Sequence, residues 1–270
     1  MIFKNYTNEM SNAYTGNSYY VEIEKCDLPH ASNFIPLSSC VLNFTIKEAA
    51  IEVAEQEKAT QFRDLQLCGH CFGDFKLYTH EQTKFLGAHL RPTTLYKVFG
   101  TSLREIQNKI FSLEEYRPRL YQELLDVFHS YDNNLEEFDA NLNGFFERND
   151  LCKQDHKIGW IDESIRIIEE EKGLIKVQDL IMDLPFSQKT FETIFKKVIG
   201  LTPGQFTRQI RFLNYLREFH VTDKPTTELM YAFQYYDLSH FNKEVKYFTG
   251  KTPKNYFNSE YSELKKIISF

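Results

Sequence analysis

Cysteine is scarce. The 270 residues hold five (Cys26, Cys40, Cys68, Cys71 and Cys152), an odd and sparse set that argues for reduced thiols over a disulfide framework. Long apolar runs are missing too, and none approaches the roughly 18 residues that a membrane span needs. The first ten residues, MIFKNYTNEM, carry no apolar stretch of the kind a secretory signal uses, so a soluble, cytoplasmic protein is expected. The chain has no glycine-rich phosphate loop, no G-x-S-x-G and no H-E-x-x-H. Neither an enzyme nor a cofactor or metal is expected from it. Positive charge is also short: the net charge is −6, which taken whole argues against a polyanionic partner.

The deficit is unevenly spread. Residues 174–257 hold twelve Lys/Arg against eight Asp/Glu, a local +4 that leaves −10 for the rest of the chain. A mildly basic module joined to an acidic one fits nucleic-acid binding. Apolar residues at 42% and charged residues at 26% give a globular composition with enough material for a core.

Up to about Pro92 the chain reads as short strands in polar loops. Tyr19–Glu24, Cys40–Ile46, Phe75–Tyr78 and Phe85–Leu90 carry β-branched and aromatic residues in rough alternation. From Thr93 the period changes. Helices are expected over Leu113–Tyr131 and Leu135–Phe146, a linker over Glu147–His156, and a charged helix over Ile161–Lys172 that Gly173 ends. The fold class is therefore α+β. A strand-rich domain with trailing helices, residues 1–155, precedes an all-helical domain, residues 156–270.

The C-terminal third repeats itself at an offset of fifty residues. Phe191 matches Phe241, Lys196 matches Lys246, Gly200 matches Gly250, Thr202 matches Thr252, and Pro203 matches Pro253. A match at fixed offset indicates two copies of one supersecondary unit. In the first, at about 176–199, a short helix Val177–Asp183 is broken by Leu184-Pro185-Phe186. Ser187 then caps a second helix, Gln188–Ile199, which Gly200 ends. In the second, at about 226–249, Thr227–Phe233, a turn at Gln234–Tyr236, a cap at Asp237 and a helix Leu238–Thr249 repeat the design. Helix, tight turn, helix is the unit whose second member enters a major groove. Thr202–His220, with a stripe at Phe206, Ile210, Leu213 and Leu216, is expected to join the copies as one rigid helix.

At these residues the chain resembles the AraC family of transcription regulators, over roughly 158–258. The likeness rests on Ser187-x-x-Thr190-Phe191, Phe195-Lys196-Lys197 and Gly200-Leu201-Thr202-Pro203. It is repeated by Tyr235-Tyr236-Asp237-x-Ser239-His240-Phe241 and Gly250-Lys251-Thr252-Pro253. Residues 85–150 resemble, more loosely, a β-rich domain attached to one group of these bacterial regulators, which implies a sensory or oligomerising role. The resemblance implies a sequence-specific reader of double-stranded DNA. It leaves room for a small-molecule effector, RNA polymerase and a second copy of the chain as partners.

It also implies which residues face DNA. Gln188, Lys189, Glu192 and Thr193 in the first unit, and Ser239, His240 and Lys243 in the second, are the candidate base contacts. Their chemistry suits adenine, guanine and cytosine edges. Lys196, Lys197, Arg208, Lys246 and Lys254 are the candidate phosphate contacts, which position without specifying. Four positions depart from the family pattern: Thr193 stands where arginine is common, Gln234 where the turn usually has glycine, Met230 where a small residue is usual, and Val245 in place of a phenylalanine.

Two other readings stay open. The helices could form a protein-interaction module. Cys68-Gly-His-Cys71 has the spacing of a redox dithiol or of half a zinc site. The turn residues Phe72-Gly73-Asp74 that follow favour ordinary structural thiols over both. His89, His129 and His220 read as packing residues.

Overall fold

A computed structural model describes residues 1–10, 13–33, 38–46, 51–55, 58–62, 64–70, 75–182, 184–222, 224 and 226–258. Its first part is antiparallel sheet. One sheet is built from β1 (Ile2–Thr7), β2 (Thr15–Ile23), β4 (Val41–Thr45), β7 (Leu65–Cys68), β9 (Thr83–Leu90) and β10 (Ile110–Ser112), in the spatial order β1-β2-β9-β4-β7-β10. A second sheet takes β3 (His30–Asn33), β5 (Ile51–Glu55), β6 (Lys58–Phe62) and β8 (Phe75–Thr79), in the order β3-β8-β5-β6. Each strand expected from the sequence is present.

β4 is buried along its whole length, and the reason is visible on its two faces. Leu42 and Phe44 join the main core, while Val41 packs with Ile23, Cys68 and Phe85 on the other side. A strand covered on both faces is mostly apolar, and the buried Asn43 within it accepts at Oδ1 from the Tyr19 hydroxyl at 3.1 Å.

Short helix α1 (Thr94–Phe99) is followed by a single 3-10 turn at Leu103–Glu105. The helix expected over Leu113–Tyr131 is two helices, α2 (Leu113–Tyr116) and α3 (Pro118–His129). Pro118 disfavours helical backbone at Arg117, which has φ −144° and ψ 67°, and then serves as the first residue of α3. Helix α4 (Leu135–Asn149) runs three residues beyond its expected end. It lies on β2 through Asp139, a buried carboxylate that accepts from Asn8 Nδ2 (2.6 Å), Ser18 Oγ (2.6 Å), Thr15 Oγ1 (2.8 Å) and Asn143 Nδ2 (2.9 Å). Four donors satisfy the charge that burial would otherwise penalise.

Helix α5 (His156–Glu170) begins five residues ahead of the expected Ile161, with Asp155 as its N-cap. The connector is thus only 150–155. Helix α6 (Val177–Leu180) is shorter than the stretch to Asp183 that the sequence suggested, and Asp183 lies outside the described residues. Helices α7 (Gln188–Ile199), α8 (Pro203–Val221), α9 (Thr226–Ala232), α10 (Leu238–Thr249) and α11 (Pro253–Asn258) complete the fold. One continuous core runs from Tyr20 to Tyr256, so the sheet and the C-terminal helices are packed together. The fold class is α+β, as the sequence predicts.

Candidate nucleic-acid interface

Helices α7 and α10, the candidate recognition helices, are set by the same local chemistry. Ser187 accepts from the Thr190 backbone N–H, and Asp237 accepts from that of His240. Each satisfies one of the donors that a helix start leaves free. Both helices end on left-handed glycines, Gly200 at φ 89° and Gly250 at φ 71°, whose N–H groups return to the carbonyls of Lys196 and Lys246. The buried sides correspond as well. Phe191, Phe195 and Val198 are covered in α7, and Phe241, Val245 and Phe248 in α10.

Helix α8 is shared between the units. Thr202 and Gln205 form a reciprocal capping box at its start, and Pro203 is its first residue. Phe206 meets Phe195 of the first unit at 5.7 Å between ring centroids. Phe212 stacks on Phe248 at 5.0 Å and Tyr215 meets Phe241 at 4.9 Å, both in the second. The stripe expected from the sequence is therefore only part of its buried surface, because Gln209, Phe212 and Tyr215 are covered too.

The candidate base contacts divide into free and engaged groups. Lys189, Ser239 and Lys243 are exposed. Gln188 donates from Nε2 to Glu192 Oε1 at 2.8 Å, and Thr193 donates its hydroxyl to the Lys189 carbonyl at 2.8 Å. His240 accepts at Nδ1 from the Tyr236 N–H at 3.3 Å, with Nε2 3.7 Å from Glu244.

Among the candidate phosphate contacts, Lys196, Lys246 and Lys254 are exposed. Lys197 lies 5.3 Å over the ring of Tyr96 in α1, whose hydroxyl raises its pKa. Arg208 donates from Nε to Glu244 Oε1 at 2.7 Å and stacks 5.0 Å over Tyr247. It keeps 43% of its side chain exposed.

Glu244 is a residue that sequence reasoning passed over. Its side chain is only 2% exposed, and the same oxygen that holds Arg208 also takes Arg211 Nη2 at 3.4 Å. The fifty-residue match could have found it: the first copy has apolar Ile194 at this place. A carboxylate in a core position must draw cations to itself, and here they come from α8. The pair fixes α10 to the connecting helix.

The first unit is held from the other side as well. Arg104, in the 3-10 turn, donates to the Thr193 carbonyl at 3.4 Å. A Cβ at Gly200 would stand 2.6 Å from the Leu103 carbonyl oxygen. Lys97 pairs with Asp162 of α5 at 2.8 Å, and Thr93 donates to the same carboxylate at 2.6 Å. Near this seam lies a cleft of about 1100 Å³ with walls from both parts, including Tyr14, Arg91, Asn143, Asp162 and Glu169.

Of the cysteine pair, Cys68 is buried on β7 in register with Val41 and Ile110. Cys71 lies outside the described residues. Of the three packing histidines, His89 and His220 are half-buried. His129 is exposed, its ring edge-on to that of Phe44 with 5.2 Å between centroids.

Residues 183–259 match the family model described as "Helix-turn-helix domain". No curated protein sequence matches the chain. Three solved structures of ToxT from Vibrio cholerae are similar to it. The 1.65 Å structure in the P21 form has a TM-score of 0.48 at 10% identity, covering 91% of this chain and 98% of that one. The structure from strain O395 has a TM-score of 0.47 at 12% identity, covering 88% and 95%. The structure of the unsaturated fatty acid-bound protein, from strain SCE256, has a TM-score of 0.46 at 12% identity, covering 93% and 96%.

Proposed function

We propose that this DNA-binding transcription regulator, with its AraC-type helix-turn-helix domain, reads two adjacent major-groove segments of one duplex through α7 and α10. The observation that carries the reading is the duplicated helix, in each copy capped at its third backbone N–H, ended on a left-handed glycine and clasped to one shared helix, α8. Successive major grooves on one face lie about 34 Å apart, so a stiff connector is what a single chain needs to engage both.

In this reading Gln188, Lys189, Glu192 and Thr193 contact bases in one segment, and Ser239, His240 and Lys243 in the other. Lys196, Lys197, Arg208, Lys246 and Lys254 contact phosphates. The division at 155/156 falls at Asp155, the N-cap of α5. The part before it is the sensory or oligomerising domain. The seam cleft is where an effector would touch both domains, and RNA polymerase and a second copy of the chain are the remaining partners.

Selection from random duplexes with the purified full chain tests the reading. It should return a bipartite, asymmetric site. Binding to that site should weaken as log Kd rises linearly with log salt, in proportion to the phosphates neutralised. A protein-interaction module built on the same helices would return no enriched sequence and little salt dependence.

A further inference from the structure

The two reading helices differ in chemistry where they agree in geometry. At the first helical position α7 presents Gln188, while the matching residue of α10 is Leu238. Leu238 is 60% exposed, and Tyr236, two residues before it in the turn, is 87% exposed. The matching first-unit residue, Phe186, is half-buried and stacks on Phe191. The core contacts that account for Phe241, Val245 and Phe248 do not account for Leu238. A large aliphatic side chain is therefore held in solvent at the start of a recognition helix, beside Ser239 and one turn before Asn242 and Lys243, all exposed.

Among major-groove edges only thymine offers an apolar group, its 5-methyl, and an aliphatic side chain meets it by contact alone. From these observations we infer that Leu238 is a specificity-determining residue of the second reading helix, selecting thymine through its methyl group. The first helix reads the matching position with the amide of Gln188. The inference rests on the reading of α10 as a groove-binding helix. It adds that the two half-sites differ in kind, polar in one and apolar in the other.

The experiment is a thymine-to-uracil scan of the selected duplex, which removes one methyl at a time and leaves every hydrogen-bonding group in place. The wild-type chain should lose affinity at one thymine of the second segment by about fourfold, which is what about 0.8 kcal/mol for one buried CH2-sized group amounts to. Leu238→Ala should bind the thymine and uracil duplexes equally at that position, whereas Lys243→Ala should keep the wild-type ratio. Leu238→Gln, which installs the first unit's residue, should shift the preference there from thymine to adenine. A duplex with no uracil-sensitive position in that segment overturns the inference and leaves the two-segment reading standing. So does an undiminished thymine-to-uracil ratio in Leu238→Ala. Failure of the wild-type chain to bind any duplex in a salt-dependent way overturns both.

Discussion

Lys189, Lys243 and Lys196 all end in an exposed ammonium, yet their places on the helices give them different work. Lys189 and Lys243 lie in the first half of α7 and α10, the end that enters a groove in the proposed reading. Lys196 sits in the last turn of α7, where a cation also favours the helix dipole. Lys189→Ala and Lys243→Ala should each relax preference at one position of their own half-site, by about 1–3 kcal/mol of discrimination. Lys196→Ala should weaken all duplexes alike and reduce the salt slope by about one. Identical behaviour of the three on a panel of single-base variants would remove the distinction between readers and anchors.

His89 shows how far burial shapes a single residue. Its Nδ1 is 3.1 Å from Ser39 Oγ, its ring is 5.3 Å from that of Tyr19, and burial lowers its pKa to about 4. The unfolded chain, with a value near 6.5, takes up the proton first. The contribution to stability is thus complete above about pH 6.5 and is lost as pH falls toward 4, to the extent of roughly 1–3 kcal/mol. His89→Gln removes that dependence. The gap in Tm between wild type and variant should narrow from pH 7 to pH 4.5, and a constant gap would show that His89 does not titrate in this window.

At the scale of elements, the turn between α9 and α10 carries a visible strain. Gln234 has φ 56°, a conformation that favours glycine, and the family resemblance pointed to glycine there. Gln234→Gly should therefore stabilise the chain by about 0.5–1 kcal/mol, since relief of strain outweighs the added freedom of the unfolded glycine. For a chain of this size that is about 2 °C in Tm. A fall in Tm would mean that the Gln234 side chain contributes more than its backbone costs.

The same turn marks the limit of what sequence makes legible. Caps and stops are local, so Ser187, Gly200, Asp237 and Gly250 delimit α7 and α10 to the residue. The break at Arg117-Pro118 was also local, but the apolar spacing on either side of it reads as one helix. Glu244 was hidden for a different reason. Its partners Arg208 and Arg211 lie on another helix, and an acidic residue in a helical pattern reads as surface unless that pairing is known. Sheet order is less accessible still, because β2 pairs with β9 across some sixty intervening residues and only packing sets the neighbour.

At the scale of the whole molecule, the first reading unit is joined directly to the N-terminal part, and α8 packs on both units. Leu103 and Arg104 press on the end of α7, Tyr96 covers Lys197, and Asp162 receives both Lys97 and Thr93. A change in the strand-rich domain would therefore reach the first unit directly and the second through the shared helix. The two end-glycines give a way to measure that asymmetry. Gly200 and Gly250 both have positive φ, so replacing either by alanine incurs the same backbone strain, about 1–2 kcal/mol. Gly200 is buried and its new methyl would meet the Leu103 carbonyl oxygen at 2.6 Å, whereas Gly250 is exposed. Gly200→Ala should accordingly cost at least about 1 kcal/mol more than Gly250→Ala in denaturant unfolding of the full chain. It should also raise hydrogen exchange in α1 and in the Leu103–Glu105 turn, which Gly250→Ala leaves unchanged. Equal costs, with exchange in those segments unaltered, would mean that the strand-rich domain and the first unit touch without being coupled.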